Sequence, residues 1–172
     1  MGDATIALKL MSPSESCMSE PLSFDVPGIM RCQQNRYPLL FIDRVYDVIP
    51  GERAKGTKCF TYNEWYFPAH FEDDPNVPGF IQIECLVQTF IMTFLCIDKY
   101  QGMKTSFANI DNTKFKRKIL PGETLTVEAE LKSFKRGMAK GSASSFVDGE
   151  AACSADFVIV VPDVFKEFLP KE

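Results

Sequence analysis

The sequence predicts an α+β fold, a single domain in which an antiparallel sheet wraps around one long central helix. Three observations lead there. Residues 79–97, GFIQIECLVQTFIMTFLCI, are apolar nearly all round, as a helix enclosed by the rest of a protein must be. The segments around it alternate apolar and polar residues and are separated by turn residues, as half-buried strands are. The chain has 172 residues, 45% of them hydrophobic, which suits one domain with a sizeable core. A sheet with one face on a helix is a stable two-layer solution.

Residues 1–24 read as a loosely ordered extension, with the polar cluster Ser12-Pro13-Ser14-Glu15-Ser16, and residues 25–172 as the folded domain. Asp25-Val26-Pro27-Gly28 reads as a cap or turn leading into a short helix. Leu39 to Val48 reads as the first strand, turned at Pro50-Gly51-Glu52 into a second strand from Arg53 to Phe60. Residues 61–78 are rich in Pro, Asn and Asp and form a long loop, a length that tends to carry function. The long helix runs from Pro78 or Gly79 to about Lys99, with proline well placed at its start. Four strands follow: Lys104–Lys116, Thr124–Phe134, Met138–Phe146 and Ala151–Val161, with turns at Pro121-Gly122, Lys135-Arg136-Gly137 and Asp148-Gly149.

A net charge of −4 does not point to nucleic acid or to an anionic membrane. The apolar run contains Glu84, costly in lipid, so it reads as a buried helix and not a membrane span. The six cysteines include no C-x-x-C pair, and with one histidine a zinc site is not expected. They read as reduced thiols, and without a secretory signal pattern the expected location is the cytoplasm.

Two side chains suit proton chemistry. His70, the only histidine, sits in an aromatic loop beside Trp65, Tyr66 and Phe67, and histidine accepts a proton near neutral pH. Glu84 lies six residues into the helix between Ile83 and Cys85, where desolvation favours its neutral, proton-donating form. Gln88, one turn on, is placed to orient it. The helix start at Pro78-Gly79 offers free N–H groups and a positive dipole end to a developing oxyanion. Acid, base and oxyanion site together suit proton abstraction next to a carbonyl. No dinucleotide or phosphate-loop motif competes.

Four ordered blocks carry a resemblance: Arg36-Tyr37-Pro38 with Leu40-Phe41-Ile42-Asp43-Arg44-Val45; Asn63-Glu64, Phe67 and His70-Phe71; Pro75, Pro78-Gly79-Phe80, Ile83-Glu84 and Gln88; and Phe107-Ala108, Ile110-Asp111, Lys114-Phe115-Lys116-Arg117 with Pro121-Gly122. With these, from about Ile29 to Phe157, the chain resembles the FabZ-type 3-hydroxyacyl-acyl-carrier-protein dehydratases. It departs from them at Asn35, where the family usually has His, at Ala69, usually Gly, and at Glu72, usually Pro.

The resemblance implies a hotdog fold and a hydro-lyase that makes a trans-2-enoyl thioester from a substrate on acyl carrier protein or coenzyme A. It implies His70 and Glu84 as the catalytic pair, Gly79 as the oxyanion donor, and Gln88, Phe71 and Pro78 in support. It also implies a homodimer, often a trimer of dimers, whose site joins His70 of one protomer to Glu84 of the other, with no metal or redox cofactor. Lys114, Lys116, Arg117 and Lys118 are candidates for docking an acidic carrier, a solvated strand edge being the alternative, and strand alternation would put Lys114, Lys116 and Lys118 on one face and Arg117 on the other. A hotdog acyl thioesterase and a catalytically silent acyl-binding subunit remain as rival readings.

Overall fold

The computed structural model describes residues 20–169. Seven strands, β1 (Leu22–Phe24), β2 (Arg44–Ile49), β3 (Arg53–Cys59), β4 (Ser106–Phe115), β5 (Thr124–Lys135), β6 (Met138–Val147) and β7 (Glu150–Val160), form one antiparallel sheet in the order β1-β2-β3-β5-β6-β7-β4. Helix α1 (Val26–Cys32) precedes β2, and the long helix α2 (Gly79–Leu95) lies on the inner face of the sheet. A short helix α3 (Pro162–Phe165) follows β7. The expected extension over 1–24 lies outside the described residues up to residue 19, and its last three residues form β1.

The long strands β5, β6 and β7 largely obey their alternation, while β4, at the edge, is exposed almost throughout. In β5, Leu125, Val127, Ala129 and Leu131 are buried towards α2, while Glu128, Glu130 and Lys132 face solvent. The hairpin turns at Arg136-Gly137 and Asp148-Gly149 have φ of 52° and 75°, and of 50° and 82°. Two successive positive φ angles match the twist of the strands they join.

The sheet lets α2 approach closely because its inner face carries small residues. A Cβ on Gly141 would stand 2.1 Å from the Glu130 carbonyl oxygen and 2.4 Å from the Phe90 ring, and one on Gly56 would stand 2.2 Å from Thr89 Oγ1. Residues Cys85 to Leu95 are all buried. Thr89 and Thr93 satisfy their hydroxyls on the helix's own carbonyls, at Cys85 (3.0 Å) and Phe90 (2.7 Å). Glu84 and Gln88 are thereby left as the polar side chains that link α2 to the segment before β2.

That segment corrects the expected first strand. Leu39–Ile42 do not join the sheet, Asp43 makes the first main-chain bond to β3 through its N–H on the Thr57 carbonyl (2.9 Å), and β2 begins at Arg44. Gln88 replaces the missing ladder: its Oε1 accepts from the Phe41 and Ile42 N–H groups (2.9 and 3.3 Å), and its Nε2 donates to the Leu39 carbonyl (2.6 Å). The helix also ends four residues early. Cys96 caps it, and Asp98–Tyr100 form a separate 3-10 turn.

Strand β4 is the far edge, paired to β7 on one side only. Its Phe107 and Phe115 are about half exposed (47% and 52%), so large apolar rings stand on a free edge strand among polar residues. No helix among the described residues is long and apolar enough to cross a membrane.

Candidate active site

Glu84 stands in the second turn of α2, partly buried against apolar neighbours. Its Oε1 accepts two hydrogen bonds, from Gln88 Nε2 at 2.8 Å and from Asn35 Nδ2 at 3.1 Å. Burial raises its pKa above the ordinary carboxylate value, and the Gln88 and Asn35 donors offset part of that rise by favouring the charged form. The chain thus holds a carboxyl poised to keep its proton at a higher pH than usual, as a general acid requires.

His70 follows the 3-10 turn Phe67–Ala69 in the loop between β3 and α2. Buried Tyr66 and Phe67 anchor the turn, and Lys58 of β3 ties down its approach with Nζ 2.7 Å from Glu64 and 3.6 Å from Asp43. The His70 ring stacks on exposed Phe71, with centroids 4.6 Å apart. Its Nδ1 lies 3.1 Å from the Asn76 carbonyl oxygen. A carbonyl can only accept, so Nδ1 carries a hydrogen and the neutral ring presents its lone pair on Nε2.

Pro78 is the N-cap of α2 and Gly79 its first residue. The N–H of Gly79 has no helical carbonyl to bond, since the helix's first main-chain bonds to Pro78 come from Ile81 and Gln82. The Phe115 ring covers this turn, and a Cβ on Gly79 would stand 3.0 Å from it. Glycine here allows β4 to close over the helix start.

Glu84 opens on two cavities. One, of about 320 Å³, is apolar and lined by Leu39, Phe41, Phe80, Ile83, Phe107 and Ile110. The other, of about 160 Å³, runs past Asn35 along Val87 and Ile91 to Ile159. Larger concavities of about 490 and 760 Å³ are more polar, and neither is lined by His70 or Glu84. His70 lines neither cavity at Glu84, and no hydrogen bond joins the two side chains within the chain. Among the described residues no three His, Cys, Asp or Glu side chains are grouped to hold a metal ion.

The four basic residues differ from the expected pattern. The strand stops at Phe115, after a bulge between Asp111 and Lys114, so strict alternation does not extend to Lys118. Arg117 is held by Glu123 and Glu150, and Lys118 pairs with Asp74 of the acidic run Glu72-Asp73-Asp74. Lys114 and Lys116 are exposed and make no ion pair among the described residues. Sequence reasoning found the Gln88–Glu84 contact from its one-turn spacing. It marked Asn35 only as a departure from the family's usual His and missed its contact with Glu84, 49 residues away in sequence.

A sequence model of the FabA-like domain matches residues 34–156. The 3-hydroxyacyl-[acyl-carrier-protein] dehydratase FabZ of Chloroflexus aggregans is 39% identical over 141 residues, covering 82% of this chain and 98% of that protein. The FabZ of Exiguobacterium sibiricum is 39% identical over 138 residues, covering 80% of this chain and 99% of its own. Among solved structures, the dehydratase heterocomplex ApeI:P of Xenorhabdus doucetiae superposes with a TM-score of 0.50 at 21% identity, covering 64% of this chain and 88% of that one. The E. coli PaaI protein superposes with a TM-score of 0.50 at 12% identity, covering 65% and 78%. The sheet wrapped on α2 is the hotdog fold, and the chain belongs to the FabA-like family.

Proposed function

We propose that the protein is a hydro-lyase that dehydrates a 3-hydroxyacyl thioester, borne on acyl carrier protein, to the trans-2-enoyl thioester. The observation that carries this is Glu84, a carboxyl with a raised pKa opening on an apolar cavity in a FabZ-like frame. His70 Nε2 takes the α-proton. The Cα–H electron pair forms the new double bond, the β-carbon–oxygen bond breaks, and Glu84 protonates the departing hydroxyl so that it leaves as water. The Gly79 N–H stabilises the charge that builds on the thioester oxygen.

His70 and Glu84 act across a homodimer. Three features support this: His70 lines neither cavity at Glu84, those cavities are walled by β4, and the free edge of β4 carries exposed Phe107, Ile110 and Phe115. A second copy on this edge covers that apolar surface and supplies the missing histidine.

The assay mixes purified protein with crotonyl and with 3-hydroxybutyryl thioesters. The expected result is a change in enoyl absorbance in either direction without free thiol. Thiol release without hydration would instead identify a thioesterase.

Carrier docking falls on Lys114 and Lys116, whose charges are uncommitted, and not on Arg117 or Lys118. The KM for carrier-bound substrate should rise with ionic strength, because phosphate and carboxylate contacts are screened. Lys114→Glu with Lys116→Glu should raise that KM severalfold at low salt, flatten its salt dependence and leave kcat nearly unchanged. An unchanged KM at low salt removes these lysines from docking.

A further inference from the structure

We propose that Asn35 is a positioning residue for Glu84, and that with Gln88 it confines the transferable proton to the second carboxyl oxygen, Oε2. This role deepens the dehydratase reading and rests on it.

The hydrogen bonds fix the orientation step by step. Gln88 Oε1 accepts from two main-chain N–H groups, Phe41 and Ile42, so the other terminal atom of Gln88 is its nitrogen. That nitrogen uses its two hydrogens on the Leu39 carbonyl and on Glu84 Oε1. Asn35 Nδ2 donates to the same Oε1. With two N–H donors on Oε1, both of its lone pairs are engaged, and the proton of the neutral carboxyl resides on Oε2. Gln88 alone leaves one lone pair of Oε1 open, and the proton could then reside on either oxygen.

Asn35 is itself held in place. Arg36 gathers three carbonyls around the end of α1, with Nη1 bonded to those of Gln33 (2.8 Å) and Asn35 (2.7 Å) and Nη2 to that of Met30 (2.9 Å). The guanidinium fixes the loop's backbone and leaves the Asn35 amide to reach Glu84. Asn35 and Glu84 share the wall of the smaller cavity.

The surroundings leave little else to tune Glu84. Leu39 and Phe41 face it from the segment before β2, Thr105, Ser106 and Phe107 from the β4 side, and Ile159 from β7, and none of these carries a charge. Next along α2, Cys85 is fully buried and its thiol is held neutral, far above the ordinary thiol range. The one further titratable group in the dehydratase reading is His70 brought by a partner copy. When Oε2–H gives its proton to the departing hydroxyl, the carboxylate keeps the negative charge, and the two amides on Oε1 stabilise it. Burial alone would hold the proton too tightly, and the two donors counter that.

The test uses the full-length protein with Asn35→Ala and the isosteric Asn35→Asp. The Glu84 carboxyl is followed by carbon-13 NMR and identified by its absence in Glu84→Gln. Losing a donor to the charged form raises the titration midpoint, by about one pH unit in Asn35→Ala and by more in Asn35→Asp, which adds a like charge. Turnover should fall about tenfold with KM little changed, and the high-pH limb of kcat should move upward with the midpoint. A midpoint and limb that stay at the wild-type pH in both variants overturn the role of Asn35. The NMR midpoint needs no substrate. A wild-type protein unable to hydrate crotonyl thioester would therefore remove the dehydratase reading, while the midpoint still decides the Asn35 bond.

Discussion

Replacing Glu84 by glutamine is expected to lower dehydration turnover by about a hundredfold to ten-thousandfold while leaving the fold intact. Glutamine has the same shape, and its oxygen can keep the place of Oε1, accepting from Gln88 and Asn35. Its amide nitrogen then faces the cavity in place of Oε2 and has no acidic proton to give. Substrate contacts are hardly altered, so the loss should appear in kcat and not in KM.

The pH behaviour follows from the sign of the shift. An acid works while protonated, so wild-type turnover falls as pH rises through the raised pKa of Glu84. Stability shifts the same way. Between the ordinary value of 4.5 and the raised folded value, the folded state binds more protons than the unfolded one. Stability from this group is therefore full below the unfolded pKa and is lost as pH rises through the folded one. Glutamine removes that slope, so at neutral pH Glu84→Gln should melt no lower than wild type. Thermal melts at several pH values alongside steady-state kinetics check both statements. Turnover retained within a few-fold would move the acid role to another group.

Gln88→Leu is expected to be the most destabilising single change near the site. Gln88 has no exposed surface, and its amide serves the Leu39 carbonyl and the Phe41 and Ile42 N–H groups. Leucine fills the volume but leaves these main-chain groups without partners. Each such group costs about 1–3 kcal/mol, and the Ile42 bond, at 3.3 Å, is the weakest of the three. The sum, about 3–6 kcal/mol, is a large share of the stability of a typical domain. Urea unfolding should show a much lower midpoint with little change in slope. A loss under about 1 kcal/mol would mean that residues 39–42 are held by other contacts.

The parts of the fold legible in the sequence are those where one local rule dominates. Strands β5, β6 and β7 alternate cleanly, Asp148-Gly149 can supply two positive φ angles, and α2 announces itself by being apolar on every side. Leu39–Ile42 misled for a physical reason. Their apolar character comes from packing at the Glu84 cavity and against Gln88, so a strand-like composition occurs without a ladder. Strand β1 has three residues, too few for a period of two to register. The basic run after Phe115 looked like a continued strand because bulges and strand ends leave no mark in residue type. The candidate site was half legible. Glu84 and Gln88 share a helix face, and His70 is unique, but Asn35 reaches Glu84 only through tertiary structure.

Subunit complementation tests the composite dehydratase site most directly. His70→Ala and Glu84→Gln proteins, each inactive alone, are mixed under conditions that exchange subunits, and heterodimers are verified by mass. A site built from two chains has one intact copy in each mixed dimer. With random exchange about a quarter of wild-type hydration activity should return. No recovery in a preparation proven to contain heterodimers would contradict the account, because each acid and base would then belong to a single chain.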